Sequence, residues 1–208
     1  HGARSFEVLR RRDLLGVLYP SVDRYLKRHP GSLVEKLLQA GLENTDARVA
    51  AGKSVTPTFL FTLLLYGPIA EYIESQPPEK WDDVGTILDG CDHAIRNAQE
   101  RVQIPRRFAL GLREMFALQP RLEHPRSRRA LRMLEQSRFR AAFDLLLLRA
   151  QIGMAPAEVA EWWTRIQAAG PEERVKMAEA LERGGSRSEG GARTRRPRRR
   201  RRRTPGAE

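Results

Sequence analysis

Cys91 is the only cysteine of the chain. One thiol can form neither an intramolecular disulfide nor a cysteine metal cluster, and such usage suits a reducing compartment, the cytoplasm. There is no signal peptide and no run of about 18 apolar residues, so no membrane helix is expected. Runs that alternate apolar with polar residues are missing, which argues against a sheet, and no repeat of fixed period occurs. His1, His29, His93 and His124 lack metal-ligand spacing, and no metal site is assigned to them. Lysine is absent between Arg96 and Arg149.

What replaces it is arginine. That stretch holds 13 Arg against 5 acids, a net of +8, and residues 184–208 carry another +8. The remaining segments, 1–95 and 150–183, are each −2, so the overall +12 comes from two basic blocks on a slightly acidic body. Blocks of this kind point to a polyanion. Nucleic acid is favoured over membrane, because no lipidation motif or long amphipathic basic helix accompanies them. A merely solvated surface is the competing reading for the body block.

At 40% hydrophobic composition the 208 residues can bury one sizeable core. The expected fold is all-α: an irregular helical bundle over 1–170, a weakly helical charged linker over 171–183, and a disordered Arg-rich tail over 184–208. The organising stretch is Ile104–Ile152. Phe139, Ala142, Phe143, Leu146 and Ala150 share one helical face, with Leu145, Leu147, Leu148 and Ile152 beside it, so this helix should be packed on most sides.

Punctuation along the chain sets the other helices. Ser21 is an N-cap candidate, and Ser32 with Glu35 forms a capping box. Gly52 can stop that helix. Thr56-Pro57 restarts the chain ahead of Phe59–Tyr66, a run too apolar for a surface helix. Gly67-Pro68 should kink or break it. A helix is expected over roughly 79–103, bearing Trp81, Val84 and Ile87, and a second Pro-initiated start at Ile104-Pro105. Pro120 should close that helix. The last packed helix starts near Pro156, with Val159, Trp162, Trp163 and Ile166 inward.

Four ordered blocks then resemble a known family. They are Leu42-Glu-Asn-Thr-Asp-Ala-Arg48, Val55-Thr-Pro-Thr-Phe-Leu-Phe61, Ile104-Pro-Arg-Arg-Phe108 and the segment Arg138–Ala150. Together with the Arg-rich extension they are similar to the C-terminal half of bacterial poly(A) polymerases, in the tRNA nucleotidyltransferase/poly(A) polymerase family. The resemblance covers residues 2–168 closely, and the tail by composition. It implies helical neck and body regions that hold RNA, preceded by a nucleotidyltransferase head that binds ATP and Mg²⁺ through paired carboxylates. Gly31-Ser32 and Gly185-Ser186 lack the strand and Asp-x-Asp pattern of that head. The chain therefore reads as a piece without the catalytic site, and alone it should add no AMP to an RNA 3′ end.

The RNA-contacting set expected in the body is Arg106, Arg107, Arg113, Arg126, Arg128, Arg129, Arg132 and Arg138. Arginine suits a phosphate track because its planar fork donates two hydrogen bonds and stays charged. Some of these side chains should instead brace Glu114, Glu123, Glu135 or Asp144, though 13 cannot all pair with 5 acids. Arg140 and Asp144, four apart, should pair with each other. Asn44, Thr45, Asp46 and Arg48 are read as caps or braces. In the tail, Arg193, Arg195, Arg196, Arg198, Arg199, Arg200, Arg201, Arg202 and Arg203 should add sequence-independent affinity.

The expected partner is RNA, single-stranded 3′ ends first, with acidic proteins as further candidates and no membrane. No cofactor is expected within this chain. Two other readings stay open: the body of a CCA-adding enzyme, and a non-catalytic helical adaptor for RNA or an acidic protein.

Overall fold

The computed structural model describes residues 1–188, apart from the side chains of Arg128 and of 182–188. The described residues form α-helices, with no strand among them. The first half comprises α1 (Gly2–Arg11), α2 (Leu14–Leu18), α3 (Pro20–Arg28), α4 (Leu33–Ala50) and α5 (Pro57–Glu74). The second comprises α6 (Val84–Gln99), α7 (Arg106–Glu123), α8 (Ser127–Leu134), α9 (Phe139–Gln151), α10 (Ala157–Ala168) and α11 (Pro171–Ser188).

Several boundaries follow from the punctuation. Ser32 Oγ accepts from Glu35 N–H at 3.3 Å, so the cap is formed. Glu35 Oε2 accepts from Gly31 N–H at 2.7 Å rather than from Ser32 N–H, so the expected box closes one residue early. Gly52 takes φ +71 just after α4, a conformation that costs a residue with a Cβ.

Other boundaries correct the expectations. Ser21 lies inside α3 rather than capping it: Pro20 begins the helix, because a proline pre-set near helical φ serves the first position. Thr56 sits at the N-cap of α5, but its side chain accepts no capping bond. Pro68 and Pro120 lie inside α5 and α7, which run on to Glu74 and Glu123. Burial on both sides of Pro68 holds that helix together although Pro68 donates no backbone bond. Asp83 caps α6 by accepting from Thr86 N–H at 2.9 Å. The helix expected from 79 therefore begins at Val84, and Trp81 is left on a turn, 42% exposed.

Two apolar clusters make up the interior. The larger joins α1–α6 with the first half of α7, through Leu37, Leu63, Ile69, Cys91, Leu112 and Met115. The smaller joins the end of α7 to α8, α9 and α10, through Leu122, Met133, Phe143, Trp163 and Ile166. Helix α9 divides them: Leu145 and Leu148 belong to the first, Phe139, Ala142, Phe143 and Leu146 to the second. Packing on most sides is thus what the sequence pattern indicated. Burying Leu145 and Leu146 completely contributes ~1.5–3 kcal/mol each by area arguments.

The segment expected as a charged linker, 171–183, lies within α11, which packs against α8. Ala178 is buried there and Met177 joins the smaller cluster. Arg174 fastens its start by donating to the carbonyls of Ile166 and Gln167 at 2.9 and 2.8 Å. Few apolar residues suffice to dock a helix when the neighbouring face supplies the rest. None of these helices is long and apolar enough to cross a membrane.

Candidate nucleic-acid interface

Helix α8 has apolar Ala130 and Met133 buried, Leu131 and Leu134 half-buried, and Arg129 and Arg132 exposed. Residues three apart share a face, so burying 130 and 133 sends 129 and 132 outward. Arg126, at the N-cap, is exposed as well. These three arginines line one side of a cleft of about 670 Å³. The end of α7 supplies Arg121 and His124 on the other side. Val84, Pro120 and Met133 form apolar lining, and Asp82 and Gln136 complete the wall. Arg121 also borders a neighbouring depression of about 300 Å³ with Glu114, Gln136 and Arg138.

Asp82 is the one acid among the lining residues of this cleft, and it pairs with none of the arginines. Arg121, Arg126, Arg129 and Arg132 form no ion pair or hydrogen bond through their side chains with a described residue. Four guanidinium groups lining one cleft without a paired acid repel, and that arrangement stores attraction for an anion.

Elsewhere in the block the charges are answered. Arg113 donates to Asp92, and this bond holds its guanidinium above its usual pKa. Arg138 Nε donates to Glu114 at 2.9 Å, and Arg140 pairs with Asp144 at 3.1 Å, as their spacing indicated. Arg113 and Arg138, grouped on charge with the RNA-contacting set, are therefore braces between helices. Arg106 and Arg107 stand exposed at the start of α7, with Arg107 over the Phe108 ring at 4.7 Å. At 1.5 Å rise per residue they lie roughly 20 Å along the helix from Arg121, apart from the cleft. Arg128 and the tail arginines 193–203 lie outside the described side chains.

Arg149 has a different role. It is buried, donating through Nη1 to Glu123 Oε1 at 2.6 Å and to Gln119 Oε1 at 3.0 Å, and through Nη2 to the Met154 carbonyl at 3.4 Å. Gln119 in turn donates to the carbonyls of Met115 and Ala142. Burial pulls the Arg149 guanidinium down, but Tyr66 and Glu123 beside it outweigh that and hold it above its ordinary pKa. The network ties α5, α7 and α9 together at the boundary of the two clusters.

The remaining candidates are structural. Thr45 Oγ1 donates to the Gly41 carbonyl at 2.8 Å, and Asp46 accepts from the first backbone N–H groups of α1. Trp163 is fully buried with Nε1 donating to the Leu122 carbonyl at 2.8 Å, and Trp162 packs edge-on against it. Burial pushes the Cys91 thiol up to about 12. No group of three or more His, Cys, Asp or Glu able to hold a metal occurs among the described residues.

Sequence reasoning passed over Arg121, His124, Gln136 and Asp82. For the first two a signal existed: Arg121, His124, Arg126, Arg129 and Arg132 recur at short intervals through one helix end and the next helix. Asp82 lies far off in the chain and could be placed only by folding.

A family model described as polymerase A arginine-rich C-terminus matches residues 82–204. Poly(A) polymerase I of Salmonella typhi is 31% identical over 189 residues, 88% of this chain and 40% of that protein. The corresponding protein of Escherichia coli O6:H1 is 30% identical over 207 residues, 96% of this chain and 43% of that one. Poly(A) polymerase I of Haemophilus influenzae is 28% identical over 189 residues, 88% and 41% of the two chains. The chain spans about two fifths of the length of these relatives. The matched region takes in α6 to α11 and so the whole arginine-lined cleft, and with more than half of its length matched the chain belongs to the polymerase A arginine-rich C-terminus family.

Proposed function

We propose that this chain holds RNA for a poly(A) polymerase, gripping the phosphate backbone of a single strand near its 3′ end. The parent reaction would be AMP transfer from ATP to that end, with ATP and Mg²⁺ bound by a nucleotidyltransferase head. The observation that carries the reading is the cleft between α7 and α8, where Arg121, Arg126, Arg129 and Arg132 converge without an acid to pair them. Other arginines in the same stretch are tied to Asp92, Glu114, Asp144 and Glu123. A fold that pairs four arginines and leaves four in one cleft has kept charge for a partner. The relatives' name supports RNA as that partner. The basic tail would add a sequence-independent grip and a faster on-rate, and the cytoplasm is the compartment this role requires.

The test replaces Arg121, Arg126, Arg129 and Arg132 by Gln, which keeps good helix propensity and removes charge. Binding of a labelled single-stranded RNA is measured across a salt series. Each phosphate that is no longer neutralised should flatten the slope of log K against log salt by about 0.7. The thermal midpoint should barely move, because exposed unpaired arginines contribute little to stability. A folded variant with unchanged affinity and slope would falsify the cleft as an RNA-binding surface.

A further inference from the structure

The cleft is not uniformly cationic. Asp82 lines it, exposed, on the turn before α6, and its side chain makes no hydrogen bond or ion pair with a described residue. Its neighbour Asp83 is occupied in capping α6. An unpaired carboxylate facing four arginines works against phosphate binding by plain repulsion. Its presence is explained if it accepts hydrogen bonds from a part of the ligand that is not phosphate. The apolar lining of Val84, Pro120 and Met133 provides a surface for the flat face of a base, and a thioether packs well against aromatic rings. The cleft volume lies within the range of small-ligand sites, so a whole nucleotide can enter.

Resting on the RNA reading above, we propose that this cleft seats one unstacked nucleotide, base on the apolar lining, phosphates on the arginines, and exocyclic amino group on Asp82. Bases of a single strand offer their full hydrogen-bonding edges. Cytosine presents an N4 amino donor that a carboxylate accepts, whereas uracil presents a carbonyl at the same place. Adenine offers its N6 amino group in the same way, and the Gln136 side chain, exposed without a partner among the described residues, suits the bidentate pairing that glutamine makes with adenine. The cleft thus prefers amino-bearing bases over uracil.

The decisive comparison is oligo(C) against oligo(U) of equal length, since the two rings match in size. Binding of each to the full chain is followed by fluorescence anisotropy at fixed salt; the tail's sequence-independent contribution cancels in the ratio. The wild-type chain should bind oligo(C) roughly fivefold or more tightly than oligo(U), the scale of one good base contact. Asp82→Ala should have two effects of opposite sense. Oligo(U) should bind more tightly, because a repelling charge has gone, whereas oligo(C) also loses its base contact, so the ratio falls towards one. Asp82 makes no bond within the described fold, so the substitution has nothing to unfold. Equal binding of the two oligomers by the wild-type chain, or a ratio that survives in Asp82→Ala, overturns base reading. Failure of the RNA reading looks different: neither oligomer would respond to the four Arg→Gln replacements.

Discussion

Two environments stand in contrast among the arginines between residues 96 and 149. Arg149 is enclosed between α7 and α9 with Glu123, Gln119 and a backbone carbonyl as partners. Arg121, Arg126, Arg129 and Arg132 stand around an open cleft with no acid engaged. The residue type and the run of sequence are the same. The difference lies in desolvation: a buried guanidinium must be paired because water no longer reaches it, while an exposed one can wait for a ligand. Charge density alone therefore does not identify a binding residue. The diagnostic feature is charge that the fold leaves unpaired where several such groups meet.

That contrast is easiest to break at Arg149. Arg149→Ala should destabilise the protein by about 3 kcal/mol, the low end for breaking a buried pair, since Glu123 is only half-buried but would lose its partner. Chemical denaturation gives the value. Removing the acid as well, in Arg149→Met with Glu123→Gln, should recover much of the loss; no recovery would mean that Arg149 acts through packing rather than charge. A smaller effect is expected from Trp163→Phe, which keeps the ring packing but strands the Leu122 carbonyl. It should cost roughly 1–3 kcal/mol, and a midpoint unchanged on heating would show that water reaches that carbonyl.

On the open side the effects move from stability to binding. Arg129→Gln should lower the RNA salt slope by about 0.7 while shifting stability by less than ~0.5 kcal/mol. Arg113→Gln, which removes a partner from Asp92, should do the reverse: a stability loss of ~0–1 kcal/mol and an unaltered slope. If both substitutions flatten the slope equally, the division into braces and binders is wrong.

The smallest effect is a pH dependence. Burial pulls the Glu35 carboxyl up, but the Gly31 N–H and the Arg10 guanidinium outweigh it and hold its pKa below the ordinary value. A carboxylate depressed in the folded state adds stability above its unfolded pKa, and that contribution is lost as pH falls through the folded value. Glu35→Gln should therefore be less stable than the wild type near neutral pH, with the gap closing in acid. A gap constant from neutral pH into acid would mean that the bonds to Gly31 N–H and Arg10 do not depend on the charge.

Local chemistry was legible from the chain in many places. The Ser32 cap, the Gly52 stop, the Arg140–Asp144 pair and the inward face of α9 depend on residues within about one helical turn of one another, where spacing decides contact. The resemblance carried by the blocks at 42–48, 55–61, 104–108 and 138–150 agrees with the matched family. That α5 continues through Pro68 and α7 through Pro120 is not legible from the local sequence; around Pro68 the burial of neighbouring residues offsets the loss of one backbone bond. The capping role of Asp83 was missed because Trp81 and Val84 supplied a misleading helical period.

By itself the sequence determined an all-helical body, a concentrated reserve of arginine and the family to which the chain belongs, since each is a property of composition and local spacing. Only the tertiary structure decided which arginines are spent. Arg113 meets Asp92 across α6 and α7, Arg138 meets Glu114, and Arg149 meets Glu123, through contacts 21 to 26 residues apart. Asp82 is brought into the same cleft as α8 only by the folding of the chain. Ion pairing depends on separation in space, weakening as the charges move apart in any dielectric, and separation along the chain does not report it.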